Sequence, residues 1–466
     1  MKRTVPLKFP PGPERGGLDG VFSPFRRDPL KFLNGAAQQY GDIVGLRFLH
    51  YRTYLISHPD HIEDVLVNHP RKFVKGRVLQ ANKRLFGNGL LTSEGDFWLR
   101  QRRLAQPAFH RTRIASYADT MVSYTERMLE QWKDGEERDA HQEMMQLTLQ
   151  IVGKTLFDAD VASDAQEVGR TITLLLDFSS DFRRLIFTPK WLPTPRNIQT
   201  TLAIGRLNKI VYRMIAERRT SGRDAGDLLS LLLSARDEDG SRMDDRQLRD
   251  EALTLFLAGY ETTANLLAWT WWLLATHPGV ERKLHHELNT VLAGRTPGME
   301  DLPNLRYAGH ILTESLRMYP PAWGMARLAI EDHEIAGYPV PAGTGVAIAQ
   351  WVVHRDPRWF EAPDQFCPER WEGDLQKRLP RFAYFPFGGG PRQCIGNMFA
   401  LMEATLVLAV VAQRFRLRMA PGAEVVPLAS ITLRPKNGVP VRLEMRRNVE
   451  ADTPAAAAVL DGAQEL

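Results

Sequence analysis

Cysteine is scarce: the 466 residues include only Cys367 and Cys394. Two thiols cannot form a disulfide framework, so a reducing compartment is the expected setting and either thiol is free for chemistry. Long apolar runs are missing too. The longest, such as residues 266–275, fall short of the roughly 20 needed to cross a bilayer. The amino terminus, Met-Lys-Arg-Thr-Val-Pro-Leu-Lys-Phe-Pro-Pro-Gly-Pro, puts charge and proline where a signal peptide needs an unbroken apolar stretch. These absences predict no transmembrane anchor and a cytoplasmic location, with peripheral membrane contact left open. No internal repeat of solenoid period occurs. The formal net charge of +5 is small for this length, which argues against a nucleic-acid partner. What the chain does have is 44% hydrophobic and 25% charged residues, the balance of a folded chain with a large core.

The first thirty residues are rich in Pro, Gly and Arg and predict irregular backbone, while residues 43–57 carry β-formers in the manner of a short hairpin. Apolar residues three and four apart predict helices over 119–132, 142–157, 200–221, 245–276, 280–292 and 398–415. Strand-like pieces return at 334–348 and 431–445. The expected class is mainly α with a small β portion split between the two ends of the chain. Length alone suggests about three domains at one per ~150 residues, a prior that the motifs below override. Residues 188–195 hold three prolines around Trp191 and Leu192, the composition of an apolar lid or of an ordinary loop. The stretch 447–466, with its alanine run, offers few anchors and predicts a disordered tail.

Cys394 sits in Phe387-Gly-Gly-Gly-Pro-Arg-Gln-Cys-Ile-Gly396. A thiolate near neutral pH needs donors, positive charge or a metal beside the sulfur. Gly388 to Gly390 and Gly396 let the backbone turn tightly and approach a planar group without Cβ clashes. Helix-like sequence starts near Asn397, so N–H groups at its amino end can point at the sulfur. On these residues alone Cys394 reads equally as a small core hydrophobe in a glycine-rich turn. The whole string, however, resembles at every defining position the haem-binding loop of the cytochrome P-450 family: Phe387, Gly390, Arg392, Cys394 and Gly396. The resemblance implies that Phe387 packs beside the sulfur, that Arg392 pairs with a haem propionate, and that Cys394 is the axial metal ligand of heme b.

Glu314-Ser-Leu-Arg317 places opposite charges on one helix face, by itself a surface ion pair. The family locks such a pair with the arginine of a Pro-Glu-Arg segment. Pro368-Glu369-Arg370 stands here, followed by Trp371 in place of the commoner Phe, and the resemblance implies a buried structural triad. Within 245–276, the run Ala258-Gly259-Tyr260-Glu261-Thr262-Thr263 is odd for a helix interior, where glycine costs ~1 kcal/mol relative to alanine. A tolerated kink is one reading. The run also resembles the oxygen-binding groove of the family, which implies that Ala258 and Gly259 leave room beside the iron for dioxygen. By the same resemblance Glu261 and Thr262 conduct protons to the distal oxygen, and Thr263 supports the helix. Trp98-Leu-Arg-Gln-Arg102 resembles the element whose indole and guanidinium meet a propionate, and Arg327, ten residues after Arg317, takes the place of another propionate arginine. Around Arg102 cluster Arg100, Arg103, His110, Arg111 and Arg113. In the family this helix lies on the proximal face, where acidic electron donors dock; a solvated surface is the plain alternative.

The resemblance spans residues 25–446 with its motifs in order. It implies one domain of cytochrome P-450 fold after an irregular segment 1–24, with haem buried between a long central helix and the cysteine loop. The implied activity is a monooxygenase that inserts one atom of dioxygen into a C–H bond. Electrons would come from NAD(P)H through a separate ferredoxin or flavodoxin and its reductase, since only 72 residues follow Cys394. Rival readings are a peroxide-driven peroxygenase, against which the Glu261-Thr262 pair counts, and a non-catalytic haem sensor or carrier, in which that pair has no purpose. A zinc site built from Cys367, Cys394 and the scattered histidines lacks paired ligand spacing. By family position the substrate pocket is expected to draw on 78–90, 178–191, 255–262, 321–325 and 430–432. These are mainly apolar and imply a hydrophobic, fairly large substrate. Tyr319-Pro-Pro-Ala-Trp323 and the string 431–440 resemble those of carotenoid-ring, fatty-acid and terpene hydroxylases alike.

Overall fold

One helix, Asp245–Thr276, organises the chain. In this computed structural model, which describes residues 9–13, 21–158, 171, 192–236 and 240–446, that central helix runs 32 residues, about 48 Å long. Asp244 starts it by accepting the Gln247 N–H at 2.7 Å, and Pro278 stops it, because the residue before proline leaves the helical region. Apolar side chains surround it on every side, as expected for a helix enclosed by others. Its neighbours are Ala140–Phe157, Pro195–Ser221, Pro278–Leu292, Arg306–Met318 and Asn397–Arg414. Ala140–Phe157 begins where Asp139 accepts the His141 N–H at 2.9 Å. These helices share the main hydrophobic core.

The predicted helices are all present with ends shifted by a few residues, and two regions differ from expectation. Helices Phe22–Arg27 and Pro29–Tyr40 lie partly within the thirty residues expected to be irregular. Asp28 caps the second by accepting the Lys31 N–H at 2.9 Å, with Pro29 as its first residue; proline there is a start signal, since its missing N–H has no helical partner anyway. The same device places Pro195, which had been assigned to the loop, at the head of Pro195–Ser221 behind a Thr194 cap. The rest of that loop before Leu192 lies outside the described residues, as does the tail 447–466.

The expected hairpin is Ile43–Phe48 paired with Tyr51–Ile56, Ile43 opposite Ile56. It grows into a five-stranded sheet through parallel pairing of Tyr51–Ile56 with Gly345–Ile348, which pairs with Met325–Ala329, which pairs with Phe73–Lys75. The two chain ends are thus joined in one sheet, covering a second core that includes Tyr54, Ile62, Phe73 and Phe382. A three-stranded sheet adds the short Glu137–Asp139 to Pro440–Met445 and Phe415–Met419. That mid-chain strand is too short to show a period of two in sequence.

Behind the cysteine loop the charged triad forms as expected, and its Glu314–Arg317 pair is fully enclosed. Arg317 and Glu314 are both 0% exposed and meet at 2.8 Å through two parallel contacts. Arg370 joins Glu314 at 3.3 Å, and Arg317 spends its remaining donors on the carbonyls of His354, Pro363 and Gln365. Trp371 also donates, from Nε1 to Glu314 at 2.8 Å. A buried ion pair holds only when all its donors and acceptors are met, which is the case here.

Candidate active site

The cysteine loop is a cradle of backbone. Gly388 and Gly390 have φ of 69° and 67°, a left-handed conformation that glycine alone adopts freely. A Cβ on Gly390 would stand 2.1 Å from the Leu66 carbonyl oxygen, and one on Gly389 would stand 2.3 Å from the Phe382 ring. Phe387 accepts the Cys394 N–H at 3.0 Å, which closes the loop, and the Ala400 N–H reaches the Gly396 carbonyl at 2.9 Å to begin the helix Asn397–Arg414.

Cys394 has an exposed surface, yet burial is the strongest influence on its thiol and pushes its pKa up. Both hold when the sulfur opens on an interior cavity, within reach of a small molecule but surrounded by protein. The Gly396 N–H and the Arg102 charge act in the opposite sense and favour thiolate. A metal ion at the sulfur would complete that shift by deprotonating the thiol outright.

Cations gather beside the loop. Arg102 donates to the Gln393 carbonyl at 2.8 Å. Arg392 pairs with Glu94 and lies over the Trp98 ring, 4.5 Å from its centre. Arg327 stands opposite Lys75 in the sheet; burial and then the Arg392 charge push it down to about 10, which leaves it charged at neutral pH. Lys75 is buried, donates to the carbonyls of Leu90 and Ser93 at 2.8 and 2.9 Å, and is pushed to about 7 by burial followed by Arg392. Among the described residues, Glu94 is the one carboxylate in ion-pair contact with this group of cations. The excess of positive charge suits a ligand carrying carboxylates.

Between Leu248 and Trp271 the central helix buries every residue except Ala258, Gly259 and Thr262. Ala258 is the exposed one. A helix enclosed by protein exposes a patch only where a cavity adjoins it, so these residues mark the wall of one. Thr262 donates to the Ala258 carbonyl at 2.6 Å. A Cβ on Gly259 would meet Val152 at 3.2 Å, so the missing side chain there also serves close contact with helix Ala140–Phe157. Glu261 is buried and accepts the Thr432 hydroxyl at 2.6 Å. Thr432 accepts from Asn265 Nδ2 at 3.3 Å, and Asn265 Oδ1 lies 2.9 Å from His141 Nε2. Burial lowers the pKa of His141 against the pull of Asp139. Its neutral form with the proton on Nε2 makes every donor in this chain point toward Glu261.

A family model described as Cytochrome P450 matches residues 10–439. The chain belongs to the cytochrome P450 family. Cyclooctatin synthase of Streptomyces melanosporofaciens is 40% identical over 413 residues, covering 87% of this chain and 89% of that protein. Pentalenene oxygenase of Streptomyces avermitilis is 37% identical over 425 residues, covering 90% and 94%. Carotene epsilon-monooxygenase of Arabidopsis thaliana is 29% identical over 442 residues, covering 88% and 80%. This cytochrome P450 is an oxidoreductase of the haem monooxygenase class, and the family uses haem held by a cysteine thiolate together with dioxygen.

The residues of this P450 fit that group: a thiol on a glycine cradle, an accessible small-residue patch on an otherwise buried helix, and arginines for two carboxylates. The structure brings Trp98, Arg102, Arg392 and Cys394 together around the loop, with Arg327 next to Arg392. Phe387 is half-buried and contributes its carbonyl to the loop. Of the pocket segments, 321–325 and 430–432 converge, with Trp323 Nε1 donating to the Ser430 carbonyl at 2.9 Å, and Met325 reaches Gly388. Segment 178–191 lies outside the described residues. Leu85 and Phe86 are buried and belong to the main core cluster. Sequence reasoning missed His141, Asn265 and Glu94, none of which stands in a recognisable motif. It also missed Glu403, which is fully buried beside Thr263, with burial raising its carboxyl well above the usual range.

Proposed function

We propose that this P450 hydroxylates a terpenoid, with Cys394 as the residue whose thiolate would hold haem iron. The observation that carries the reading is the accessibility of Ala258, Gly259 and Thr262 in a stretch, Leu248 to Trp271, whose other residues are all buried. The names of relatives point to the same substrate class: a cyclooctat-9-en-7-ol 5-monooxygenase, 40% identical over 401 residues, and the pentalenene oxygenase. When bound, haem supplies the activation of dioxygen. The chain supplies the rest. Arg102, Arg327 and Arg392, with Trp98 beneath the last, anchor the propionates. Ala258 leaves space for oxygen, and Gly259 lets the helix sit where Ala258 can do so. Thr262 offers its hydroxyl to the cavity, and Glu261 feeds it protons from the Thr432 side. Apolar walls keep water out. An apolar gap lined by Phe157, Leu207, Met214 and Phe256 contains neither Ala258 nor Thr262, and substrate is not assigned to it.

Electrons arrive in this reading from NAD(P)H through a ferredoxin or flavodoxin docked on the face that carries Arg103, His110 and Arg111, all exposed. Arg100 and Arg113 on the same helices hydrogen-bond to Ser241 and to the Gly226 carbonyl. Residues 25–446 act as one unit. The helix Asn397–Arg414 is long and apolar enough to cross a membrane, but 67% of its apolar window is buried in the protein, in keeping with a core helix and a cytoplasmic setting. Two measurements test the proposal. The reduced, carbon-monoxide-bound protein should show the red-shifted Soret band of thiolate ligation, and Cys394→His should abolish it; a parent without that band overturns the ligand assignment. Cyclic terpenoids should produce the spectral shift that accompanies loss of the distal water, and a library in which only fatty acids do so overturns the substrate class.

A further inference from the structure

A site of another kind lies at the π-helical turn Asp64–Asn68. Such turns are rare and occur often at functional positions. The His69 N–H reaches the Asp64 carbonyl at 2.9 Å, and this five-residue closure brings the two side chains together, with Nδ1 of His69 2.8 Å from Oδ1 of Asp64. From the strand His333–Ile335, His333 places Nε2 at 2.7 Å from the other carboxylate oxygen. The imidazole centres are 4.6 Å apart, and Phe73 packs edge-on against His333, holding that ring in place. The His333 side chain is 8% exposed and that of His69 42%, so the cluster is anchored on one side and open on the other. All three donor atoms lie within 4.8 Å of one another.

Two imidazole nitrogens and one carboxylate with an open side form a donor set for a borderline divalent ion such as Zn2+, with water completing the sphere; hard cations such as Mg2+ and Ca2+ prefer oxygen alone. Spacing along the chain hides it, because His333 is 269 residues from Asp64. The cluster also has a structural vantage. The Leu66 carbonyl against which Gly390 rests belongs to the same turn. We propose that Asp64, His69 and His333 bind a divalent transition-metal ion of the zinc class, pinning the π-helical turn to strand His333–Ile335 behind the cysteine loop.

The test is calorimetric titration of the untagged, chelator-treated holoenzyme with Zn2+, alongside His69→Ala and His333→Asn. One saturable Zn2+ per chain is expected, with no comparable heat from Mg2+, and each variant should weaken binding by at least about tenfold, the cost of losing even a supporting contact at such sites. His69→Ala alters an exposed ring, and an unchanged haem spectrum will show that the fold is intact. A parent chain with no saturable Zn2+ site overturns the proposal. So does His69→Ala binding with parental affinity.

Discussion

Replacing Trp371 with phenylalanine restores the residue commoner in the family, yet the structure requires it to destabilise this chain. The indole Nε1–H donates to Glu314 at 2.8 Å, and Glu314 is 0% exposed. After Trp371→Phe the carboxylate keeps both Arg317 contacts, the Cys367 N–H at 3.2 Å and Arg370 at 3.3 Å, so it is not stranded. The loss is one hydrogen bond to a buried charge, worth ~1.5–3 kcal/mol. The smaller ring adds about 1 kcal/mol at a site that cannot collapse fully. Trp359→Phe is the control, since the buried Nε1 of Trp359 meets no acceptor among the described residues; it loses ring volume and part of its contacts with His58 and Arg358 but no hydrogen bond, and should cost about 1 kcal/mol or less. Urea unfolding of the holoprotein, followed by Soret absorbance and circular dichroism, reads both. Equal costs for the two variants would refute the reasoning and reduce Trp371 to a space filler.

Three further outcomes follow from other contacts. Thr432→Val removes the donor to Glu261 at 2.6 Å and should lower product formed per NAD(P)H by about tenfold, the equivalent of one such bond at ~1.5 kcal/mol; Thr432→Ser should restore it, and unchanged coupling in the valine variant counts against the relay. His354 is buried and accepts the Phe385 N–H at 3.0 Å, and burial, then Arg317 and Arg355, push its pKa down to about 3. Below about 6.5 the unfolded chain takes up a proton that the folded chain refuses, so stability falls as pH drops from about 6.5 toward 3, by up to ~1.4 kcal/mol per pH unit from this group. His354→Gln should flatten urea midpoints measured between pH 7 and 5, and parallel slopes would exclude this origin. Arg111→Glu should raise the apparent KM for the electron donor several-fold at low ionic strength and less at high salt, where the Debye length shortens; no change at low salt rules out docking there.

The parts of the site that were legible in sequence are those packed into contiguous strings. The cysteine loop needs its glycines, its arginine and its sulfur within ten residues, because one tight turn must both cradle and charge the ligand. The triad was legible for the same reason on a helix, where Glu314 and Arg317 share a face. What stayed hidden depends on contacts between distant segments. Thr432 reaches Glu261 across 171 positions, and His141 reaches Asn265 across 124, with nothing in either neighbourhood to announce it. Gly259 was legible as unusual but not as a helix contact, since the reason lies in Val152. The amino-terminal helices were hidden by composition: Asp28-Pro29 reads as a breaker in a Pro-rich stretch and as a start once a helix follows.

With 3.2 Å between Val152 and the place where a Gly259 side chain would be, the central helix is held from behind by a residue outside the proposed catalytic set. Helix Ala140–Phe157 acts as a backstop, and how closely the two helices approach at this level is limited by the size of the side chain at 152. Under the proposed function, selectivity becomes adjustable from the rear of the central helix: a smaller residue at 152 should let the Ala258–Thr262 wall recede and a larger one advance it, without changing any residue on that wall.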